Sequence, residues 1–303
     1  IFSLFITLSL LVSSPITTMS VFNNLLIIDA FSTFSKILIV GSTLICCLMS
    51  MSYLEHKQVN SFEFFILILL ACLGMVCLVS SNDLLALYMS IELMSLSFYI
   101  LAAYKRSSEF SGEAGLKYFI LGAFSSGLLL FGTSMIYGFT GLTNFEELAK
   151  VLTGIQGVSD AVSYNGILIG ITFVAVALLF KVGAAPFHMW APDVYEGAPT
   201  PVTAFFSIVP KVAIFALLLR LFFFTFHDFI GFWQPIFLYT GVLSMLVGSI
   251  GALYQKKIKR LMAYSGIANV GYMLIGLGAG TVESMTGLII YLIIYIVMMI
   301  AFF

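Results

Sequence analysis

The sequence predicts an all-α polytopic membrane protein of about ten transmembrane helices, and three observations predict it. The 303 residues are 61% hydrophobic and only 9% charged, with a mean hydropathy of +1.12. Apolar runs of about 17–25 residues follow one another, the length a helix needs to cross a bilayer. These runs lack the strict alternation of a membrane barrel. Backbone groups in lipid must be satisfied internally, so such runs form helices rather than open strands.

The expected spans run in order. An N-terminal stretch lies within Ile1–Ile28. Phe31–Tyr53 and Phe62–Ser80 carry the four cysteines, Cys46, Cys47, Cys72 and Cys77. Leu84–Tyr104 is apolar except for Glu92, and Lys117–Phe139 opens on a lysine. Ile167–Trp190 runs fourteen uncharged residues, Ile167–Phe180, before Lys181 and then meets Gly183-Ala184-Ala185-Pro186. Pro186 lacks an amide donor and clashes with the preceding turn, so a broken helix is expected just beyond Lys181. Ala204–Phe226 contains Pro210 and Lys211, with Arg220 near its end and expected to snorkel. Ile230–Tyr254, Leu261–Gly280 and Met285–Phe303 complete the set. No strand is expected. The longest polar connection, Gly141–Gly166, is too short for a soluble domain. The chain begins at Ile1 rather than Met and ends inside an apolar run, so it reads as an internal piece of a longer polypeptide.

The net charge of -1 offers no basic face, which excludes a nucleic-acid partner. The cysteines sit inside apolar spans without the tight clustering of a zinc or iron–sulfur site and read as small packing residues. No secretory signal is present. Sorting the loops by alternating spans places Lys57, Lys105, Arg106, Lys256, Lys257, Lys259 and Arg260 on one side. Lys36 and Lys150 fall on the other, with Asp29, Asp83, Glu146, Glu147, Asp160 and Asp228. By the positive-inside rule the basic side faces the cytoplasm or the mitochondrial matrix.

The chemistry is carried by ionisable groups inside the spans. A charge facing lipid at the bilayer centre costs about 2.5–3.5 kcal/mol, so such groups face one another or a wet interior. Glu92 lies eight residues into its span, roughly 12 Å deep at 1.5 Å per residue. Lys117 either relays charge or closes an i,i+4 pair with Glu113. Ser125 and Ser126, two turns deeper, either hold water or permit close packing. Lys181 and Lys211 each stand beside a proline break, and broken helices at membrane depth line protein cavities. His188 reads either as a satisfied residue of a polar bend or as the link between the lysines and bulk water. Asp193, Glu196 and Glu63 lie at interface depth as capping or loop-fixing groups. Glu92, Lys117, Lys181, Lys211 and His188 together form the expected proton relay.

The segment Lys181–Thr203, KVGAAPFHMWAPDVYEGAPTPVT, resembles the helix-seven-to-eight region of the antiporter-like subunits of proton-pumping NADH:quinone oxidoreductase, respiratory complex I. DVYEGAPTPV is closest to the N-type subunits. SIELMSLSFY around Glu92, EAGLKYFILGAFSSGLLLFG around Lys117, and KKIKRLMAYSGIANVGY from Lys256 to Tyr272 are similar to the same group. The resemblance covers essentially the whole chain. It implies that Glu92, Lys117, Lys181 and Lys211 match the family's glutamate and lysines of helices five to eight, and that His188 matches the histidine of the PFH turn. It also implies three regions: N-terminal helices over residues 1–60, a five-helix antiporter-like repeat over 61–226, and an incomplete inverted repeat of three helices over 227–303. The family's helix-twelve lysine has no counterpart here.

By that resemblance the chain is a proton-translocating membrane-arm subunit of NADH:ubiquinone oxidoreductase in the mitochondrial inner membrane, with basic loops on the matrix side. No redox group is expected in this chain. NADH, FMN, iron–sulfur clusters and ubiquinone are implied in other subunits. The implied partners are the other membrane-arm subunits, lipids, and a separate polypeptide that supplies the missing helices. Three other readings share these motifs: a subunit of a related cation/proton antiporter, a structural arm subunit that no longer pumps, and the equivalent plastid subunit.

Overall fold

The computed structural model describes residues 1–15, 17–56, 62–155 and 161–303. Its α-helices are α1 (Phe2–Ser13), α2 (Ala30–His56), α3 (Phe62–Ser80), α4 (Leu84–Ala102), α5 (Glu109–Thr140), α6 (Phe145–Ile155), α7 (Ala161–Val182), α8 (Ala191–Gly197), α9 (Thr200–Arg220), α10 (Ile230–Leu253), α11 (Ile258–Gly278) and α12 (Val282–Phe302). Among the described residues nine helices are long and apolar enough to cross a membrane: α2 to α5, α7 and α9 to α12. Lys57 and Asp160, used above to sort the loops, and the boundary between residues 60 and 61 lie outside the described residues.

The N-terminal stretch departs from expectation. α1 has 12 residues, about 18 Å of helix, which falls short of a hydrocarbon core of about 30 Å. The chain then forms an antiparallel hairpin, β1 (Met19–Val21) paired with β2 (Leu26–Ile28), with Met19 opposite Ile28. The expectation of no strand fails here because the connecting turn uses left-handed backbone at Phe22, Asn23 and Asn24. Asparagine tolerates that conformation, and the strands on either side are rich in apolar residues. Lys117 also does not open its helix. α5 starts at Glu109, two turns earlier, and its 32 residues span about 48 Å.

α9 is the axis of the bundle. Every residue from Val202 to Leu219 is buried, as expected of a helix apolar on all sides. Pro210 removes the amide that would bond the Phe206 carbonyl. The Tyr195 hydroxyl donates to that carbonyl instead, at 3.3 Å, so the helix continues through its proline. The outer helices pack through small residues. Gly132 of α5 faces the Gly170 carbonyl of α7, and a Cβ added there would lie 2.8 Å from that oxygen, too close to fit. Gly241 of α10 and Gly271 of α11 meet in the same way. Backbones approach this closely only where side chains are absent.

The break after Lys181 has a local cause one step different from the expected one. Gly183 adopts φ +76, with its amide on the Phe180 carbonyl and the Ala184 amide on the Leu179 carbonyl, both at 3.0 Å. This is a glycine-terminated helix end of the Schellman type. Glycine therefore stops α7 before Pro186 is reached. The groups released at the break are satisfied within the protein. The Ala185 amide donates to Ser244 Oγ of α10 at 2.8 Å, and Trp190 Nε1 donates to the Phe180 carbonyl at 2.9 Å.

Polar loops gather at the two ends. At one end Asp83 caps α4, accepting from the Leu85 amide at 2.8 Å and from Thr143 Oγ1 at 2.6 Å. Arg220 does not snorkel. Its guanidinium is 10% exposed and grips both carboxylate oxygens of Asp29 at 2.8 and 2.9 Å, tying the end of α9 to the start of α2. At the opposite end Lys105, Lys257 and Lys259 line one cleft with Glu196.

Candidate functional site

Lys181 closes the last turn of α7 and is 9% exposed. Its amine donates to Ser95 Oγ of α4 at 2.8 Å and to Ser126 Oγ of α5 at 3.3 Å. Both partners are neutral, so nothing in contact balances the charge of a buried ammonium. Glu92 stands three residues before Ser95 on α4 and so projects toward the same face. Its Oε1 is buried without a hydrogen-bond partner. Glu92 lies within electrostatic range of Lys181 but does not close an ion pair with it. Ser125, next to Ser126, donates to the Ala177 carbonyl at 3.2 Å and ties α5 to α7.

Lys211 is 4% exposed on α9. Its amine donates to Tyr295 Oη of α12 at 2.6 Å and to the Gly266 carbonyl of α11 at 3.4 Å. The Tyr295 hydroxyl in turn donates to the Ser207 carbonyl at 3.1 Å. Lys181 and Lys211 face one small enclosed cavity, walled by Met94, Phe98, Tyr118, Trp190, Tyr195, Phe206 and Pro210. Its volume is about 10 Å³, room for about one water. Tyr118 and Trp190 stack in its wall with ring centres 4.6 Å apart. Two lysine side chains from consecutive spanning helices thus line one interior, which is nearly closed in this conformation.

Lys117 is placed elsewhere. Its amine pairs with Glu113 at 2.7 Å and with Asp193 of α8 at 2.8 Å, and the side chain is 42% exposed. Arg260 of α11 reaches Asp193 at 2.9 Å and Glu196 at 3.1 Å, and Lys257 also pairs with Glu196. This network joins α5, α8 and α11 at the basic end of the bundle. Partial burial pushes the Asp193 carboxyl up, but Lys117 and Arg260 together hold it below its ordinary 3.8. Lys257 beside Glu196 outweighs burial and, with Arg260, holds that carboxyl below its ordinary 4.5. His188 lies in the turn between α7 and α8, partly buried, with Nδ1 lacking a hydrogen-bond partner. It touches neither central lysine.

The structure therefore brings Lys181 and Lys211 to one cavity, sets Glu92 near Lys181, and separates Lys117 and His188 from both. Sequence reasoning missed Ser95 and Tyr295 as partners of the lysines and Tyr195 as a wall of the cavity. Tyr291 and Tyr295 stand four residues apart in an otherwise apolar span, which was the available signal for a polar stripe on α12. Among the described residues no three His, Cys, Asp or Glu side chains gather as metal ligands.

A family model described as NADH:quinone oxidoreductase/Mrp antiporter, transmembrane, matches residues 81–303. The chain belongs to this antiporter family. Among its relatives in the family, "NADH-ubiquinone oxidoreductase chain 2" of Marchantia polymorpha is 52% identical over 297 residues, 98% of this chain and 60% of that protein. "NADH-quinone oxidoreductase subunit N" of Rhodospirillum rubrum is 49% identical over 286 residues, 94% of this chain and 58% of the relative. The antiporter-family fold is also seen in a subunit of respiratory complex I from Thermus thermophilus with bound aureothin. That subunit is 32% identical, with a TM-score of 0.78 over 99% of this chain and 62% of the solved one. The chain thus spans about 60% of the length of these relatives.

Proposed function

We propose that this chain is a proton-translocating membrane-arm subunit of NADH:ubiquinone oxidoreductase in the mitochondrial inner membrane, with its basic loops in the matrix. One observation carries the reading: Lys181 and Lys211 face a common enclosed cavity from two different spanning helices. The relatives' names supply the enzyme, and the buried amines supply a reason for a proton to cross here.

Glu92 and Lys181 act as a switchable ion pair. Apart, Lys181 has only two hydroxyls to hold its charge, and its proton passes toward Lys211 once water enters the cavity. Together, the carboxylate retains the proton on Lys181. Moving one charge against a potential on the order of 180 mV costs roughly 4 kcal/mol. Opening one ion pair in a protein of effective dielectric about 20 changes the energy by about 4 kcal/mol at 4 Å. The two scales match, so separation of one pair is sufficient to drive one proton. Electron transfer through NADH, FMN, iron–sulfur clusters and ubiquinone takes place in partner subunits, and no step of it runs through this chain. Lys117 and His188 belong to the access path at the basic end. Residues 61–226 form the complete repeat, 227–303 part of the second, and residues 1–60 the N-terminal helices. Other membrane-arm subunits and lipids complete the assembly.

Replacing Lys181 with Ala in the intact complex tests the reading. Coupled turnover is expected to fall roughly tenfold or more, the scale of losing a positioned proton carrier, while the complex still assembles. Wild-type pumping by that variant would refute it. Sodium-dependent exchange by the purified complex would instead favour a cation/proton antiporter.

A further inference from the structure

Lys211 has two environments available to it. On one side is the cavity it shares with Lys181. On the other are α11 and α12, where its amine is found, 2.6 Å from Tyr295 Oη and 4.7 Å from the centre of that ring. Tyr295 is 1% exposed, so no water competes for the amine. Its own hydroxyl proton is committed to the Ser207 carbonyl at 3.1 Å, which leaves a phenol lone pair facing Lys211. The phenol thus presents its oxygen as an acceptor at this position. Tyr291, one turn earlier on α12, donates to Asn269 Oδ1 of α11 at 2.5 Å. The polar stripe thus continues along the seam between α11 and α12.

We propose that Tyr295 is the positioning residue that draws the Lys211 amine out of the shared cavity and aims it at the seam between α11 and α12. This inference deepens the proposed relay and rests on it. The phenol neither gains nor loses a proton in this role. It fixes where the amine points after a proton has reached it, and so favours onward passage over return to Lys181. The opposite wall is fitted to the same end. Gly266 presents its carbonyl at 3.4 Å, and a Cβ added there would lie 2.8 Å from Lys211 Nζ but 3.7 Å from Tyr295 Oη. The absence of that one carbon leaves room for the amine.

Two variants of the intact complex test the proposal, read against Lys211→Ala. Tyr295→Phe keeps the ring and removes the acceptor oxygen. Gly266→Ala keeps the phenol and crowds the amine, while alanine is the stronger helix former. Each is expected to lower coupled turnover by about tenfold or more, the scale of one hydrogen bond to a charged group, and to reduce the number of protons pumped per NADH. Neither is expected to add to the loss caused by Lys211→Ala. Wild-type pumping in both variants would overturn the proposal. Losses that add fully to Lys211→Ala would overturn it as well, because they would mark a packing role independent of the amine. If Lys211→Ala itself pumps normally, the relay reading fails. If Lys211→Ala is inactive and both variants are normal, only the role of Tyr295 fails.

Discussion

Asp193→Asn isolates the contribution of the charge network at the basic end. The carboxylate takes Lys117 at 2.8 Å and Arg260 at 2.9 Å, and these contacts hold the short helix α8 against α5 and α11. At an effective dielectric of 20 the Arg260 pair is worth about 4 kcal/mol of bare attraction at 4 Å. That figure must be discounted heavily. The carboxylate and the guanidinium are each about one third exposed, and exposed pairs contribute only about 0.2–1 kcal/mol after desolvation and side-chain entropy. Both cations also keep a second partner, Glu113 for Lys117 and Glu196 for Arg260. The Arg260 pair at about 0.5–0.7 kcal/mol gives roughly a 2–3-fold change in the local opening equilibrium, to which the exposed Lys117 contact adds. The Val194 amide on the Trp190 carbonyl and the Ala198 amide on the Val194 carbonyl report that opening directly. Hydrogen exchange of the α8 peptide in the intact complex is expected to speed up about 2–3-fold or more, with exchange in α10 unchanged. Unchanged exchange in α8 would refute the idea that this network latches it.

The same network sets a pH dependence with a definite sign. Asp193 and Glu196 are both held below their ordinary values of 3.8 and 4.5. Their contribution is therefore complete above about pH 4.5 and is lost as the pH falls through the lowered values. Exchange in α8, corrected for its intrinsic rate, is expected to stay flat from pH 8 to about pH 5 and to rise only in more acid solution. Arg220→Gln leaves the Asp29 carboxylate without its cation, a loss of about 1–3 kcal/mol. It is expected to lower the temperature of half-inactivation of the complex measurably, and Asp29→Asn in the same background is expected to restore part of it. Trp190→Phe removes the indole bond to the Phe180 carbonyl. The Gly183 amide still serves that carbonyl, so the thermal cost is expected to stay near 1 kcal/mol.

Much of this architecture was legible because the bilayer admits few solutions. Long apolar runs located all nine spanning helices, and Lys181 before a glycine–proline segment marked the break. The failures have physical reasons. The hairpin at Met19–Ile28 depends on asparagines tolerating left-handed backbone, which hydropathy does not register. The reach of α5 back to Glu109 depends on charges outside the apolar window. Within the site, the lysines stood out as the costliest residues in their spans. Their partners Ser95 and Tyr295 did not, because a serine or tyrosine in an apolar helix carries no charge to draw attention. Glu113, four residues before Lys117, already set it apart from Lys181, and the fold adds Asp193 as its second partner at the basic end.

The central claim is that the interior between Lys181 and Lys211 takes up water and carries protons during turnover. A high-resolution structure of the intact complex, trapped while oxidising NADH, tests it most directly. At least one state should show the cavity enlarged from its present 10 Å³, with ordered waters linking the two amines and Glu92 apart from Lys181, and another should show Glu92 at ion-pair distance of Lys181. A dry, unchanged wall of Phe98, Tyr118 and Phe206 between the lysines in every state would contradict it.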